Sequence, residues 1–257
     1  MSIYTIYEEN IYHYFDKIIE LSLDERATKK NKDSIIALNI NIILCSACLL
    51  EGVFEDRGKI ILRYYIQIYN SYNQELLEIR KTMNTFYNNI EKYLSATISQ
   101  TTGFEKYNSL YELLLNQSIK KDPQLAPLIE GINTLFHLRN VIAHGRLIHA
   151  EHLGFYYTKG TEENFIGGYK KTEDYLKKQK LIDKGFIKAH KRGVYFSNEI
   201  ADHFYSLTQK FIEGMDNFIC SNLFISDNTI AKLKEYNESH KTNYDILTYI
   251  RRCGELI

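Results

Sequence analysis

Two prolines in 257 residues leave almost nothing to interrupt a helix, because proline is the strongest interior helix breaker. Tryptophan is absent, and 21 tyrosines and 13 phenylalanines stand in its place, so tyrosine is expected to do much of the amphipathic work at the core boundary. Net charge is missing too: 32 basic side chains balance 32 acidic ones. That excludes a global basic field for nucleic-acid capture, and any such binding must use a local patch. The four cysteines (Cys45, Cys48, Cys220 and Cys253) are too few and too scattered for a disulfide-stapled secreted domain. Cys45 and Cys48 form a CxxC, but no second CxxC completes a zinc site. The pair lies inside the apolar run from Ile40 to Leu50, where free cysteine packs as a small hydrophobe. No basic segment followed by an apolar stretch opens the chain, so no signal peptide is expected. The run Ile35 to Phe54 is interrupted by Asn39, Asn41, Ser46 and Glu51, short of the roughly 20 apolar residues of a membrane span. A soluble, cytoplasmic protein that is mainly α is the expectation.

Apolar residues make up 44% and charged residues 25%, the balance of a folded chain rather than a disordered one. Helices are expected over Ile3 to Leu23, Ser34 to about Phe54, Ile60 to Ser99, Phe104 to Ile119 and Leu125 to His144. The polar stretch Asp24 to Asp33 reads as a solvated connection, Gly58 as a bend, and Gly145 as a left-handed cap closing the fifth helix. Beyond it the character changes. Gly154 to Thr158 and Asn164 to Tyr169 are short, aromatic and β-branched around the polar tip Lys159 to Glu163, which predicts a small β-hairpin. Helical pattern returns over Asp174 to Ile182, and a brief extended segment covers Gly193 to Phe196. Ser197 then looks like the N-cap of a helix to about Cys220, and Asp227 to Asn237 and Asn243 to Arg251 close the chain as a helical pair. Short connections argue for a single domain over 1–257 rather than two.

The segment Leu125 to His144 breaks its own pattern. At about 100° per residue, Leu128, Ile129, Ile132, Leu135, Phe136, Leu138, Ile142 and Ala143 form one apolar stripe roughly 180° wide. Arg139 falls near its middle, about 20° from Leu128. Burying a guanidinium unpaired is costly, so an internal carboxylate, a subunit contact or a phosphate in a cleft must compensate. Glu51 and Glu55 are the obvious internal partners, and a buried Arg is more often half of a structural ion pair than catalytic. Asn133, His137, Asn140 and His144 lie on the flank at about 120 to 180°. His144 sits on the last turn, where the helix dipole favours the imidazolium. An imidazole titrating near neutrality beside an amide and a fixed cation suits acid–base work on a phosphodiester, although a lone helical His is usually a cap or a surface residue.

The string His137-Leu138-Arg139-Asn140-Val141-Ile142-Ala143-His144-Gly145 resembles the signature of the HEPN superfamily: an Arg, a polar residue directly after it, three more residues, then His. The upstream Leu49-Leu50-Glu51 at the end of an apolar helix is similar to these proteins as well. The resemblance covers Ser34 to His152, a motif core of about 34–152, with a hairpin and helical extension over 153–257. It implies a HEPN-like all-α helical bundle and a homodimer that brings two motifs into one composite cleft. It further implies a metal-independent endoribonuclease of the toxin, abortive-infection or antiviral defence type, with RNA as substrate, an antitoxin or regulator as possible partner, and no cofactor or membrane. Carried over, Arg139 would bind the scissile phosphate, His144 would act as general base or acid, and Asn140 would orient either. Attack by the RNA 2′-hydroxyl would leave a 2′,3′-cyclic phosphate. Arg139 and His144 stand about 140° apart around one helix; a symmetric pair, each lending one residue to the other's site, relieves that separation. Some family toxins carry a modifiable Tyr two residues after the His, where this chain has Arg146. Members with intact motifs can also be non-catalytic binding modules.

Three lesser signals remain. Lys177, Lys178, Lys180, Lys184, Lys188, Lys191 and Arg192, with Phe186 and Tyr195 between them, could track an RNA backbone. Glu173, Asp174 and Asp183 in the same stretch favour a solvated surface instead. Gly167-Gly168 followed by Lys170 lacks the context of a phosphate loop. His149 and His152 have no suitably spaced further ligand, so no metal is expected.

Overall fold

The computed structural model describes residues 12–72, 103–115, 117–143, 171–182 and 196–223. Mainly helical character holds across the described residues: α1 (Tyr12–Thr28), α2 (Lys32–Tyr72), α3 (Phe104–Leu115), α4 (Ile129–Ala143), α5 (171–178) and α6 (Asn198–Asn222), with single 3-10 turns at Ile119–Lys121 and Ala126–Leu128. No strand occurs among the described residues. The hairpin expected over 154–169, the extended segment at 193–195, His144 with its Gly145 cap and the two closing helices all lie outside them.

Two expectations about α1 and α2 are corrected. The stretch from Asp24 is not a connection: α1 runs on to Thr28 and only 29–31 separate the helices. The Asn31 side chain caps α2, accepting from the Asp33 backbone N–H at 2.8 Å, as an N-cap does. Nor does Gly58 bend the chain, for α2 continues through it to Tyr72. A lone interior glycine costs a helix only about 1 kcal/mol. Its use here is close approach, since a Cβ on Gly58 would sit 3.0 Å from Leu110 Cδ2 of α3.

The chain divides into two compact units, Met1–Val53 with Leu128–Lys210, and Phe54–Pro127 with Phe211–Ile257. In the first, Ile19, Ile42, Ile43, Leu50, Ile132, Leu135, Leu138, Ile200 and Phe204 are fully buried. Of the polar residues that interrupt the apolar run of α2, Asn39 and Ser46 are buried and Asn41 and Glu51 half-buried, and all four are bonded. Asn39 accepts from Arg26 Nη1 at 2.8 Å and donates to the Phe196 carbonyl at 2.8 Å and to Asn198 Oδ1 at 2.9 Å. Asn41 donates to Ser22 Oγ, and Ser46 bonds back to the Ile42 carbonyl. By length and composition, Lys32–Leu62 does pass for a membrane-crossing helix, contrary to the expectation that the interruptions rule it out; a buried core helix passes the same test.

α5 ends in a Schellman turn. Leu181 N–H bonds to the Leu176 carbonyl and Lys180 N–H to the Lys177 carbonyl, both at 2.9 Å. Lys180 takes the left-handed position at φ 59°. Ser197 caps α6 as expected, its Oγ accepting from Ile200 N–H at 3.4 Å.

The second unit is built on aromatic rings. Phe54 stacks on Tyr107 with centroids 4.4 Å apart and meets Phe211 edge-on at 5.7 Å, geometries aromatic pairs prefer. Tyr107 and Tyr111 are buried outright rather than placed at the core boundary. The Tyr111 hydroxyl donates to the Phe54 carbonyl at 2.9 Å, which satisfies its one polar atom.

Candidate functional site

α4 presents the apolar stripe its spacing predicts: Ile132, Leu135, Phe136 and Leu138 are buried, while Ala143 at its end is exposed. Arg139 rises from this stripe, but its stem carries the guanidinium partway to solvent, and the side chain is 26% exposed. It is therefore not sealed in; long cationic side chains commonly bury the stem and wet the head.

A carboxylate meets it. Glu51, one turn beyond Cys48 on α2, forms an ion pair with Arg139 Nη2. Of the two acids the spacing offered, Glu51 is the one used, while Glu55 in the other unit accepts from Lys106 at 3.5 Å. Glu51 is itself 28% exposed, so the pair lies at the margin of the core and not within it. Arg139 Nη1 donates to Asn140 Oδ1 at 2.9 Å. Two of the three expected site residues are thus joined directly. Arg139 Nε is buried and has no hydrogen-bond partner among the described residues. A buried donor without an acceptor costs about 1 to 3 kcal/mol, so the guanidinium is under-used where it rests. His144, the third expected residue, lies outside the described residues.

The surroundings settle several lesser readings. Burial pushes the Cys48 thiol up, Glu51 adding to the rise and Arg139 opposing it; Cys48 thus feels both charges of the pair. Burial, then Cys48, pushes Cys45 up to about 11, and its Sγ–H points at Asn41 Oδ1, 3.6 Å away. Both are free thiols held protonated, hydrophobic in role as expected and unsuited to redox attack, which requires a thiolate. Cys220 is disulfide-bonded. Among the described residues no group of three His, Cys, Asp or Glu side chains could hold a metal ion; His149 and His152 lie outside them.

His137, on the polar flank of α4, is half-buried with Nδ1 2.9 Å from Thr172 Oγ1 on α5. Burial lowers its pKa, so it rests neutral against α5. In the basic stretch, Lys177 pairs with Glu173 and Lys178 with Glu130 at 2.6 Å. Those two lysines belong to a solvated, internally balanced surface; residues 183–195 of that stretch lie outside the described residues. Glu51 was legible as a partner of Arg139, yet its place in the site emerges only from the contact between α2 and α4.

Comparison with known proteins returns nothing: no family model, no curated protein and no solved structure matches the chain.

Proposed function

We propose that the chain is a metal-independent endoribonuclease of HEPN type, acting in the cytoplasm as a toxin, abortive-infection or antiviral defence component. Arg139 binds the scissile phosphate and offsets the charge that grows on it. His144 moves the proton of the 2′-hydroxyl or of the leaving 5′-oxygen, and Asn140 orients the guanidinium. The products are a 2′,3′-cyclic phosphate and a 5′-hydroxyl. A homodimer places Arg139 of one subunit near His144 of the other, and an antitoxin or regulatory partner restrains the enzyme.

One observation carries this reading: a cation stands in the apolar stripe of the motif helix, its side chain 26% exposed, with a directional donor unspent among the described residues. The test is incubation of purified protein with total RNA in EDTA, alongside His144→Ala and Arg139→Ala. Cleavage by wild type, falling by about 10²- to 10⁴-fold in His144→Ala, is the expected result. Cleavage that survives both substitutions ends the proposal.

A second reading, a catalytically inactive HEPN-like module that binds RNA or a protein, draws on the Glu51 contact, which already neutralises Arg139. Absence of cleavage on every RNA tried, with a dimer present by sedimentation, selects it.

A further inference from the structure

We propose that the Glu51–Arg139 ion pair is a releasable latch, in which the Glu51 carboxylate holds the place of a phosphodiester and RNA displaces it. The inference rests on the reading above in one respect, that a phosphate comes to Arg139. It adds a regulatory element to that site: the resting protein carries its own competitor.

The geometry supports release over permanence. Arginine binds an anion best in a two-pronged arrangement, two parallel N–H donors to two oxygens. Here the pair engages Nη2 while Nε has no partner among the described residues, so the strongest mode is not in use there. Both partners are more than a quarter exposed, and ion pairs in contact with water are weak. Asn140 grips the other terminal nitrogen from the same helix, so the guanidinium keeps one tether when Glu51 lets go. A phosphodiester has two non-bridging oxygens and can take Nε and Nη2 together once the head turns off Glu51. An anion with a single acceptor gains little over the carboxylate it must replace. The latch therefore favours anions that offer two acceptor oxygens, as a phosphodiester does, over those that offer one.

Glu51→Gln keeps the size and the acceptor while removing the competing charge. The probe is a fluorescently labelled single-stranded oligoribonucleotide, 2′-O-methylated at every position so that it cannot be cleaved, with binding read by anisotropy over a salt series. The variant should bind about two- to fivefold more tightly than wild type, the release of one exposed ion pair from competition. Its log affinity should fall with log salt as that of wild type does, since both make the same phosphate contact through Arg139. Equal or weaker binding overturns the latch and leaves Glu51 a structural partner. Should Glu51→Gln not fold, the wild type answers alone: the Nε–H NMR resonance that disappears in Arg139→Lys should shift on saturation with the same oligonucleotide, and no shift overturns the proposal. Arg139→Ala separates the two levels. If it leaves binding unchanged, the phosphate role of Arg139 and the latch fall together; if it weakens binding while Glu51→Gln does not tighten it, the latch alone falls.

Discussion

Arg57 and Arg139 each answer to carboxylates, yet their surroundings differ in kind. Arg57, in the aromatic unit, is 14% exposed; its Nε donates to Asp216 at 3.0 Å and its Nη1 to Asp56 at 3.3 Å. Arg26, in the other unit, is 12% exposed and divides its donors between Asn39 and Asp202. Both are cations whose neighbours were assembled around them. Among the described residues Arg139 has one carboxylate, one amide from its own helix and one donor without an acceptor. The contrast marks Arg139 as the least completely paired of these three arginines among the described residues.

The sharpest way to break that contrast is a pair of substitutions. Arg139→Ala should reduce RNA cleavage by about 10²-fold or more, as loss of a preorganised charge at a reacting phosphate does. Its cost in stability should stay within about 1 kcal/mol, as for other exposed pairs. Arg57→Ala should do the reverse, destabilising by about 3 kcal/mol through two stranded carboxylates while the folded fraction cleaves normally. Urea melts and cleavage assays on both variants check this, and a similar profile for the two removes the distinction. In the same unit as Arg57, Phe54→Ala should cost about 3 to 5 kcal/mol by emptying the centre of the ring cluster. A loss under about 1 kcal/mol would mean that Tyr107, Tyr111 and Phe211 hold the unit without it.

The position of Arg139 was legible because helical periodicity is a local rule: a charge at the middle of an apolar stripe can be counted from the sequence. Ser197 as a cap and Glu51 as a candidate partner were legible for the same reason, through residue type and spacing. The length of α2 was not. Gly58 signals a break by propensity, and only its contact with Leu110 shows why the helix runs through. Asn39 looked like an interruption of an apolar run. Its three hydrogen bonds come from α1 and from residues 196 and 198, more than 150 positions away in the latter case. The same limit explains the burial of Tyr107 and Tyr111, which composition alone had assigned to the core boundary. Long-range neighbours decided each of these, and a single sequence does not name them.

Between the extremes of the two arginines lies α5, held onto α4 and α6 by smaller contacts. Tyr175 crosses Gly131 so closely that a Cβ there would strike its hydroxyl. Gly131→Ala should therefore destabilise by about 1 to 3 kcal/mol, the cost of overpacking a filled site, and should expose α5 to proteolysis before the rest of the chain. A stable variant with α5 still protected would show that the ring can shift without loss.

The smallest expected effect is a pH dependence of the same docking. His137 faces Thr172, and the Tyr175 hydroxyl lies 2.7 Å from His203 Nε2. Burial lowers both histidine pKa values, with Lys210 adding to the effect at His203. In the folded chain the neutral imidazoles are favoured, whereas in the unfolded chain they protonate at their ordinary value of about 6.5. Above that value the term is flat. Below it the unfolded state binds more protons, so stability must fall as the pH falls, with a slope set by the difference in bound protons. Thermal melts at about pH 7.5 and about pH 5.5 should show this loss in wild type. The double variant His137→Gln, His203→Gln should show less of it, because glutamine keeps a hydrogen-bonding group and does not titrate. An equal acid loss in both would place the responsible protons on groups other than these two imidazoles. Carboxylates such as Glu199, which its own backbone N–H and then Ser197 hold below the usual range, enter only at lower pH. A carboxylate held down in this way releases its stabilisation only as the pH falls toward its own folded value. The onset of the loss therefore separates the two sources: near 6.5 for the imidazoles, about two units lower for the acids.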